Sequence, residues 1–255
     1  MVLHNKKIIL TGASSGIGKE ILNILAGYAG IRIIAVARHT EEIKQSDHIY
    51  PLSADASTQE GVDKIFSYAQ NIFGNTDIFI ANAGFAYIEK LNKPDWNHIE
   101  NIFQLNVFSP IYTLEKLIAE DGEEHKIFVS TISGAGLVPL PAYSLYCATK
   151  AALHHFIETY RYEQQKNIQI TSVYPVATHT DFFDKAAGCK EAPMPWPSQD
   201  SRKVASKIVR GIEGGKKRIY PSFIFRLFYP IGRAFPFLLK LYSKREKTKV
   251  KRWLD

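Results

Sequence analysis

The chain has 255 residues, 45% of them hydrophobic and 22% charged, with a formal net charge of +7. That length and apolar content suit one large buried core, and two cysteines exclude a disulfide framework. The charge is uneven: Lys216 to Asp255 holds twelve Lys or Arg against two acids, so it carries +10 while residues 1–215 carry −3. A nucleic-acid-binding surface spread over the larger part is thereby excluded.

Lys7-Ile8-Ile9-Leu10 is a short apolar run that predicts a buried parallel strand over 7–11. It leads into Thr11-Gly12-Ala13-Ser14-Ser15-Gly16-Ile17-Gly18, and apolar residues at helical spacing follow over 16–27. Strand, glycine-rich turn and helix in that order form the context a dinucleotide-binding loop requires. Glycines let the backbone turn tightly and approach a pyrophosphate. The helix N-terminus then presents unpaired N–H groups and a positive dipole end. Further strands are expected at 31–37, 48–53, 77–81, 126–131, 168–174 and 217–221, and further helices at 58–73, 98–120, 144–165 and 200–213. Such alternation predicts an α/β fold with a parallel sheet covered on both faces. Pro193, Pro195 and Pro197, around Met194 and Trp196, interrupt regular structure over 185–200. No internal repeat or low-complexity block is present.

Tyr146 and Lys150 stand four residues apart in the helix expected over 144–165, which puts both on one face. An ammonium beside a phenol favours the phenolate and lowers its pKa from about 10. The pair is therefore a candidate proton donor or acceptor near neutral pH. Cys147 beside it reads as a small packing residue, and His154-His155 on the same helix as surface or core. Neither the cysteines nor the eight histidines have metal-ligand spacing, so no metal site is expected.

In this order the motifs resemble those of the short-chain dehydrogenases/reductases. Gly12, Gly16, Ile17 and Gly18 look like the family's cofactor loop. Asn82-Ala83-Gly84 resembles its Asn-Ala-Gly motif, which supports the central sheet. Asn106 resembles its active-site asparagine, Ser133 its catalytic serine, and Tyr146 with Lys150 its Tyr-x-x-x-Lys. The agreement runs from residue 7 to about 180. One departure is visible: Pro175 is followed by Val176 where the family usually has Gly, although Thr180 still matches the nearby threonine. The resemblance implies a Rossmann-type, doubly wound parallel sheet of about seven strands, with a mobile substrate lid near 185–200. An ordinary proline-rich connector is the alternative reading of that stretch.

Cofactor choice is read at the end of the second strand. An acidic residue there would accept hydrogen bonds from the ribose 2′-OH of NAD. Ala37 stands where NAD-specific relatives usually carry Asp, and Arg38 offers a guanidinium suited to a 2′-phosphate. Ser14 and Ser15 add hydroxyls, and Asp55 resembles the family's adenine-binding aspartate. NADP(H) is the expected cofactor. The resemblance implies that Tyr146 gives its proton to a carbonyl oxygen while the cofactor gives hydride to the carbon. Lys150 would lower the phenol's pKa and hold the nicotinamide ribose. Ser133 would stabilise the developing oxyanion, and Asn106 would hold a water that relays protons toward Lys150. The expected activity is an NADP(H)-dependent oxidoreductase acting on a lipophilic ketone or aldehyde. Two alternatives stay open: a nucleotide-binding sensor or scaffold without turnover, and a hydrolase reusing Ser133, Tyr146 and Lys150.

The C-terminal segment is both basic and aromatic, with Phe223, Phe225, Phe228, Tyr229, Phe235, Phe237 and Tyr242. Arg226, Arg233 and Lys240 recur every seven residues and would share a face in helical stretches. Pro230 and Pro236 forbid one straight helix and predict short pieces, a poor transmembrane span. Basic amphipathic pieces ending in a Lys/Arg-rich run over 244–252 suit an anionic membrane surface. Packing on the domain, a dimer contact, or an acidic partner remain the other readings. The expected division is a catalytic domain over 1–221 and a basic extension over 222–255. Met1 to Asn5 leads straight into the first strand, so a cytoplasmic protein, peripheral at the membrane face, is expected. A homo-oligomer acting on a small molecule, and not on nucleic acid, is the expected assembly.

Overall fold

The structure, a computed structural model, describes residues 3–120, 125–163, 167–189 and 191–254. Seven strands make one parallel sheet: β1 (Lys7–Thr11), β2 (Arg32–Ala37), β3 (Ile49–Ser53), β4 (Ile78–Ala81), β5 (Lys126–Thr131), β6 (Ile168–Val173) and β9 (Arg218–Ile219). Their spatial order is β3-β2-β1-β4-β5-β6-β9. The inner strands are apolar on both sides, and successive residues serve opposite faces. Ile8, Leu10, Ile33, Ala35, Ile78, Ile80, Ile127 and Val129 face one core. Ile9, Ile34, Val36, Phe79 and Phe128 face the other.

Each face is covered by the apolar stripe of amphipathic helices. Helix α1 (Gly16–Leu25) contributes Ile21, Leu22 and Leu25 to the first core, and α7 (Ser201–Glu213) contributes Val204, Ile208, Val209 and Ile212. On the other face lie α2 (Gln59–Phe73), α4 (Ser109–Ala119) and α5 (Ser144–Tyr160), through Val62, Ile65, Phe66, Leu114, Leu117, Leu153 and Ile157. Thr58 caps α2, its hydroxyl accepting from Gly61 N at 3.0 Å, and Asp200 caps α7, accepting from Lys203 N at 2.9 Å. Strand order reverses between β2 and β4 on either side of β1. A crevice therefore opens at the carboxyl ends of β1 and β4, where a doubly wound sheet holds its ligands.

Several expected elements are corrected. The helix foreseen over 98–120 is α3 (Trp96–Phe103), a π-helical turn over Gln104–Phe108, and α4. Pro110 lacks an N–H for the carbonyl four residues back, and the wider turn directly precedes it. The strand foreseen over 217–221 is only Arg218–Ile219, because Tyr220 turns to stack on Tyr174 at 4.8 Å. Regular structure also intrudes into 185–200: α6 (Phe182–Ala187) reaches its start, and β8 (Ser198–Asp200) pairs with β7 (Ala177–His179) at its end. Helix α5 ends at Tyr160, and residues 164 and 165 of the helix foreseen over 144–165 lie outside the described residues.

The C-terminal segment forms α8 (Phe223–Ala234) and α9 (Pro236–Lys249). Pro236 opens α9, where its missing N–H costs nothing, but Pro230 lies inside α8 and does not break it. The two helices pack closely at Gly232, where an added Cβ would stand 2.6 Å from Leu239 Cδ2. They also fold back on the domain. Phe225 is buried against Gly134, the Tyr242 hydroxyl donates to Trp196 O at 2.8 Å, and Ser243 Oγ donates to Pro139 O at 3.0 Å. Buried Glu246 pairs with Lys249 at 2.8 Å. Among the described residues no helix is long and apolar enough to cross a membrane.

Candidate active site

The loop between β1 and α1 is shaped by its glycines. Gly12 and Gly16 have φ of +69° and +54°, the left-handed region that other residues rarely adopt. At Gly18 a Cβ would stand 1.9 Å from Gly12 O, so only glycine lets the helix approach the loop. Ser15 is the N-cap residue of α1, yet its side chain makes no capping bond, so the first N–H groups of α1 stay open for an anion. Asn82 ties three strands together: its N and Nδ2 donate to Thr11 Oγ1 and Thr11 O at 3.1 and 3.2 Å, and its Oδ1 accepts from Thr131 Oγ1 at 3.3 Å. Ala83 N donates to the same Thr11 hydroxyl at 3.1 Å.

One cavity of about 1170 Å³ extends from this loop along the carboxyl ends of the strands. Gly12, Ser14, Ser15, Gly16, Ile17, Arg38 and Asp55 line one end. Asn82, Ala83, Gly84, Pro175, Val176 and Thr180 line its middle, and Ser133, Tyr146 and Lys150 stand beyond. Asp55 is held in place by Ser57, whose N and Oγ donate to Asp55 Oδ1 at 2.9 and 2.7 Å. Partial burial would raise its pKa, but those bonds and the Arg38 charge outweigh it and hold the carboxyl below the usual range. Gly18 lies behind the loop, outside the cavity wall, as a packing residue.

Tyr146 and Lys150 share the buried face of α5, with Lys150 Nζ 5.8 Å from the Tyr146 ring centroid. Lys150 Nζ donates to Thr131 O at 2.9 Å. Ser133 sits at the end of β5 with φ +91°, a strained value for a residue with a side chain, and bonds the Tyr146 hydroxyl. The expectation of a lowered phenol pKa is corrected. Burial pushes the Tyr146 phenol up to about 12, and the Ser133 bond only partly opposes it. Burial also pulls the Lys150 ammonium down to about 8. Desolvation disfavours the charged form of each group.

Asn106 sits in the π-helical turn, fully buried. Its Oδ1 accepts from Phe85 N at 3.2 Å, and its Nδ2 donates to Phe85 O at 2.9 Å and Thr149 Oγ1 at 3.1 Å. It faces away from the main cavity, toward a void of about 10 Å³ that Lys150 and Thr131 also line. That is at the lower bound of the room one water needs.

A family model described as short chain dehydrogenase matches residues 6–188. The chain belongs to the short-chain dehydrogenase/reductase family. It is therefore a member of a family of oxidoreductases, and the Rossmann-type doubly wound sheet foreseen from its motifs is the fold it has. It is 30% identical to an uncharacterized oxidoreductase of Staphylococcus saprophyticus over 71% of this chain and 78% of that one. It is 29% identical to the 11-beta-hydroxysteroid dehydrogenase-like 3 protein of Arabidopsis thaliana, over 94% of this chain and 85% of that one. Among solved structures, a short chain dehydrogenase of Burkholderia cenocepacia in complex with NADP superposes with a TM-score of 0.81 at 20% identity, covering 95% of this chain and 99% of that one. A family member of Burkholderia phymatum in complex with NAD gives the same TM-score at 17% identity, covering 93% and 96%.

This short-chain dehydrogenase/reductase has site residues that its motifs do not reveal. Tyr143, Phe182 and Phe183 form an apolar wall beside Tyr146, whose ring lies 5.6 Å from Phe182. Ile224, Phe225, Phe228 and Tyr242 close the same end from α8 and α9, beside Pro195 and Trp196. The lid expected near 185–200 was the sequence signal for Pro195 and Trp196, and the aromatic C-terminal segment that for Phe225, Phe228 and Tyr242, while Tyr143, Phe182 and Phe183 had none. Cys147 is a packing residue: its Sγ accepts from Leu140 N at 3.4 Å, and burial raises its thiol pKa. His154 Nδ1 meets the Tyr174 hydroxyl at 3.0 Å, so it belongs to the core side of α5. Among the described residues no group of His, Cys, Asp and Glu is placed to hold a metal ion.

Proposed function

We propose that the protein is an NADP(H)-dependent reductase of a lipophilic ketone or aldehyde. One observation carries the reading: a single cavity joins a glycine-built anion cradle to Ser133 and the buried Tyr146 and Lys150, beside a wall of aromatic side chains. The residues present suit a dinucleotide, since the α1 N–H groups are open and the Gly12–Gly18 contact leaves the backbone bare of side chains. Arg38, without an acid at Ala37, favours a 2′-phosphate at the far end. A bound NADPH would supply the hydride to the carbonyl carbon.

The chain's own residues handle the proton. Tyr146, kept protonated by burial, donates from Oη to the carbonyl oxygen. Ser133 holds that oxygen as its charge develops. Lys150, anchored on Thr131, is placed to return a proton to the phenol, and a water in the void beside Asn106 would connect it to solvent. NADPH oxidation measured across straight-chain aldehydes, methyl ketones and a steroid ketone tests the reading. Turnover of one of these classes is the expected result. Tight NADPH binding with no turnover of any would instead favour the sensor reading.

A second reading concerns residues 222–255, taken as a basic extension that docks on an anionic membrane surface at the cytoplasmic face. Phe223, Ile224, Leu227, Ile231, Phe235, Phe237 and Leu241 are all exposed on α8 and α9, among exposed Arg226, Arg233, Lys240 and Lys244. Ile224 also lines the cavity, so the apolar surface adjoins the substrate end. Co-sedimentation with phosphatidylserine vesicles is expected at low salt and weaker at 1 M salt, where the Debye length falls to about 3 Å. No binding at low salt refutes it.

A further inference from the structure

Ser133 stands in a turn that needs support. Its φ of +91° is strained for a residue with a side chain, and such a conformation persists only where its surroundings over-determine it. The end of β6 holds the turn from one side: Ser133 N donates to Val173 O at 3.2 Å and Gly134 N to Pro175 O at 2.8 Å. Helix α5 closes on it from another, since a Cβ at Gly136 would stand 2.7 Å from Lys150 O. Phe225 of α8 covers the turn at Gly134. A Cβ added there would lie 3.1 Å from Phe225 Cζ and 3.3 Å from Cε2, so the tip of the ring rests on the backbone beside Ser133. The ring is itself fixed. It is buried, 6.4 Å from the Tyr220 ring and stacked on Tyr229 at 5.8 Å, while Tyr220 stacks on the fully buried Tyr174. Ser222 Oγ accepts from Phe225 N at 3.1 Å, and Lys207 Nζ donates to Pro221 O at 2.7 Å, which pins the start of α8.

We propose that Phe225 is a positioning residue for Ser133, so that the C-terminal extension is a working part of the active site. This deepens the reductase reading and rests on it. Phe225 does no chemistry of its own. Its ring keeps the strained turn in place, and the turn keeps the Ser133 hydroxyl against Tyr146, where the carbonyl oxygen develops its charge. Without the ring the backbone can relax and the hydroxyl leaves that position. The loss is then one of transition-state stabilisation, which lowers kcat, rather than of substrate binding. Because Phe225 also lines the cavity, a role as mere wall is the competing account, and that role would raise KM instead.

A double-mutant cycle separates the two. Steady-state NADPH oxidation is measured with the first of decanal, 2-decanone and androstenedione that the wild type reduces, for wild type, Phe225→Ala, Ser133→Ala and the double variant. Phe225→Ala is expected to lower kcat about tenfold, part of the roughly 10²–10³ that one oxyanion donor supplies, with KM within about threefold. In the Ser133→Ala background the same change is expected to cost less than about twofold, because the residue it acts through is gone. NADPH affinity by calorimetry should match the wild type, since the glycine cradle lies at the other end of the cavity. Phe225→Leu keeps apolar bulk on α8 but ends short of Gly134, so it carries the same cycle, with a loss of about threefold, if Phe225→Ala fails to fold. A full loss that persists without Ser133, a change confined to KM, or an unaltered kcat overturns the assignment and leaves the reductase reading standing. Failure of both Phe225 variants to bind NADPH overturns it too, because it assigns the ring to folding alone. If the wild type reduces none of the three carbonyls, the reductase reading falls and the positioning role falls with it.

Discussion

Tyr146 and Lys150 show how strongly burial acts on single residues. The phenol is pushed up to about 12 and the ammonium down to about 8. Tyr146→Phe keeps the ring and removes the proton donor. NADPH affinity measured by calorimetry should stay within a few-fold, while turnover should fall by about 10²–10⁴. The Lys150 shift makes a separate prediction about stability. Below about pH 8 the amine is charged in both folded and unfolded chains, and folding bears the full desolvation cost. From about 8 toward 10.5 the folded form is already neutral while the unfolded form still binds a proton, so stability rises with pH across that window. The total gain is on the order of 3 kcal/mol. Denaturant melts of the cofactor-free protein should show the wild type gaining on Lys150→Met between those pH values; a constant difference would contradict the assignment. At the other end of the cavity, Arg38→Asp replaces the guanidinium with a carboxylate that suits a 2′-OH and repels a 2′-phosphate. NADPH should lose tenfold or more against NADH, given roughly 1.5–3 kcal/mol for a charged hydrogen bond. Equal affinities of the unaltered protein for both cofactors would remove the argument from Arg38.

Among the elements, the β1–α1 turn is the least tolerant. A methyl at Gly18 would stand 1.9 Å from Gly12 O and 2.7 Å from Asn82 Nδ2, and both are fixed by the sheet. Gly18→Ala is therefore expected to push α1 off the loop, lower the melting temperature and weaken NADPH binding by more than tenfold. Binding within twofold of the wild type would show that the loop relaxes. The π-helical turn is the opposite case, a local distortion with a purpose. It buries Asn106 where its amide joins the chain at Phe85 to α5 at Thr149. Helices α8 and α9 divide their aromatic residues between two environments. Phe225 is buried and Phe228, Tyr229 and Tyr242 are half-buried toward the domain, whereas Phe223, Phe235 and Phe237 are exposed. The packing reading and the membrane reading of this segment therefore apply to different faces of the same helices.

For the whole molecule, the docking proposal makes a prediction that separates those two faces. Phe223→Ser, Leu227→Ser, Phe237→Ser and Leu241→Ser combined alter only exposed positions, 52–67% accessible, and leave the inward contacts in place. The combined variant should retain its melting temperature and cofactor affinity yet lose most of its co-sedimentation with phosphatidylserine vesicles at low salt. Retained sedimentation would mean that the basic residues alone carry the attachment, and loss of folding would mean that the outer face also packs within the assembly.

The parts that were legible in the sequence are those whose physics is local. The glycine turn, the strand periodicity, the cofactor loop and the Tyr146–Lys150 spacing each depend on neighbours within a few residues, so the sheet, its Rossmann-type winding and the family followed from them. Pro236 as a helix start is equally local, whereas Pro230 inside α8 defied its local rule because the surrounding helix is held by packing at Gly232 and Phe225. What only the tertiary structure decided depends on burial and on contacts between distant segments. The direction of the Tyr146 shift, the partners of Asn106 and the closing of the cavity by Phe225, Phe228 and Tyr242 all arise this way. Desolvation acts on a side chain through everything folded around it, and no short stretch of sequence contains that environment.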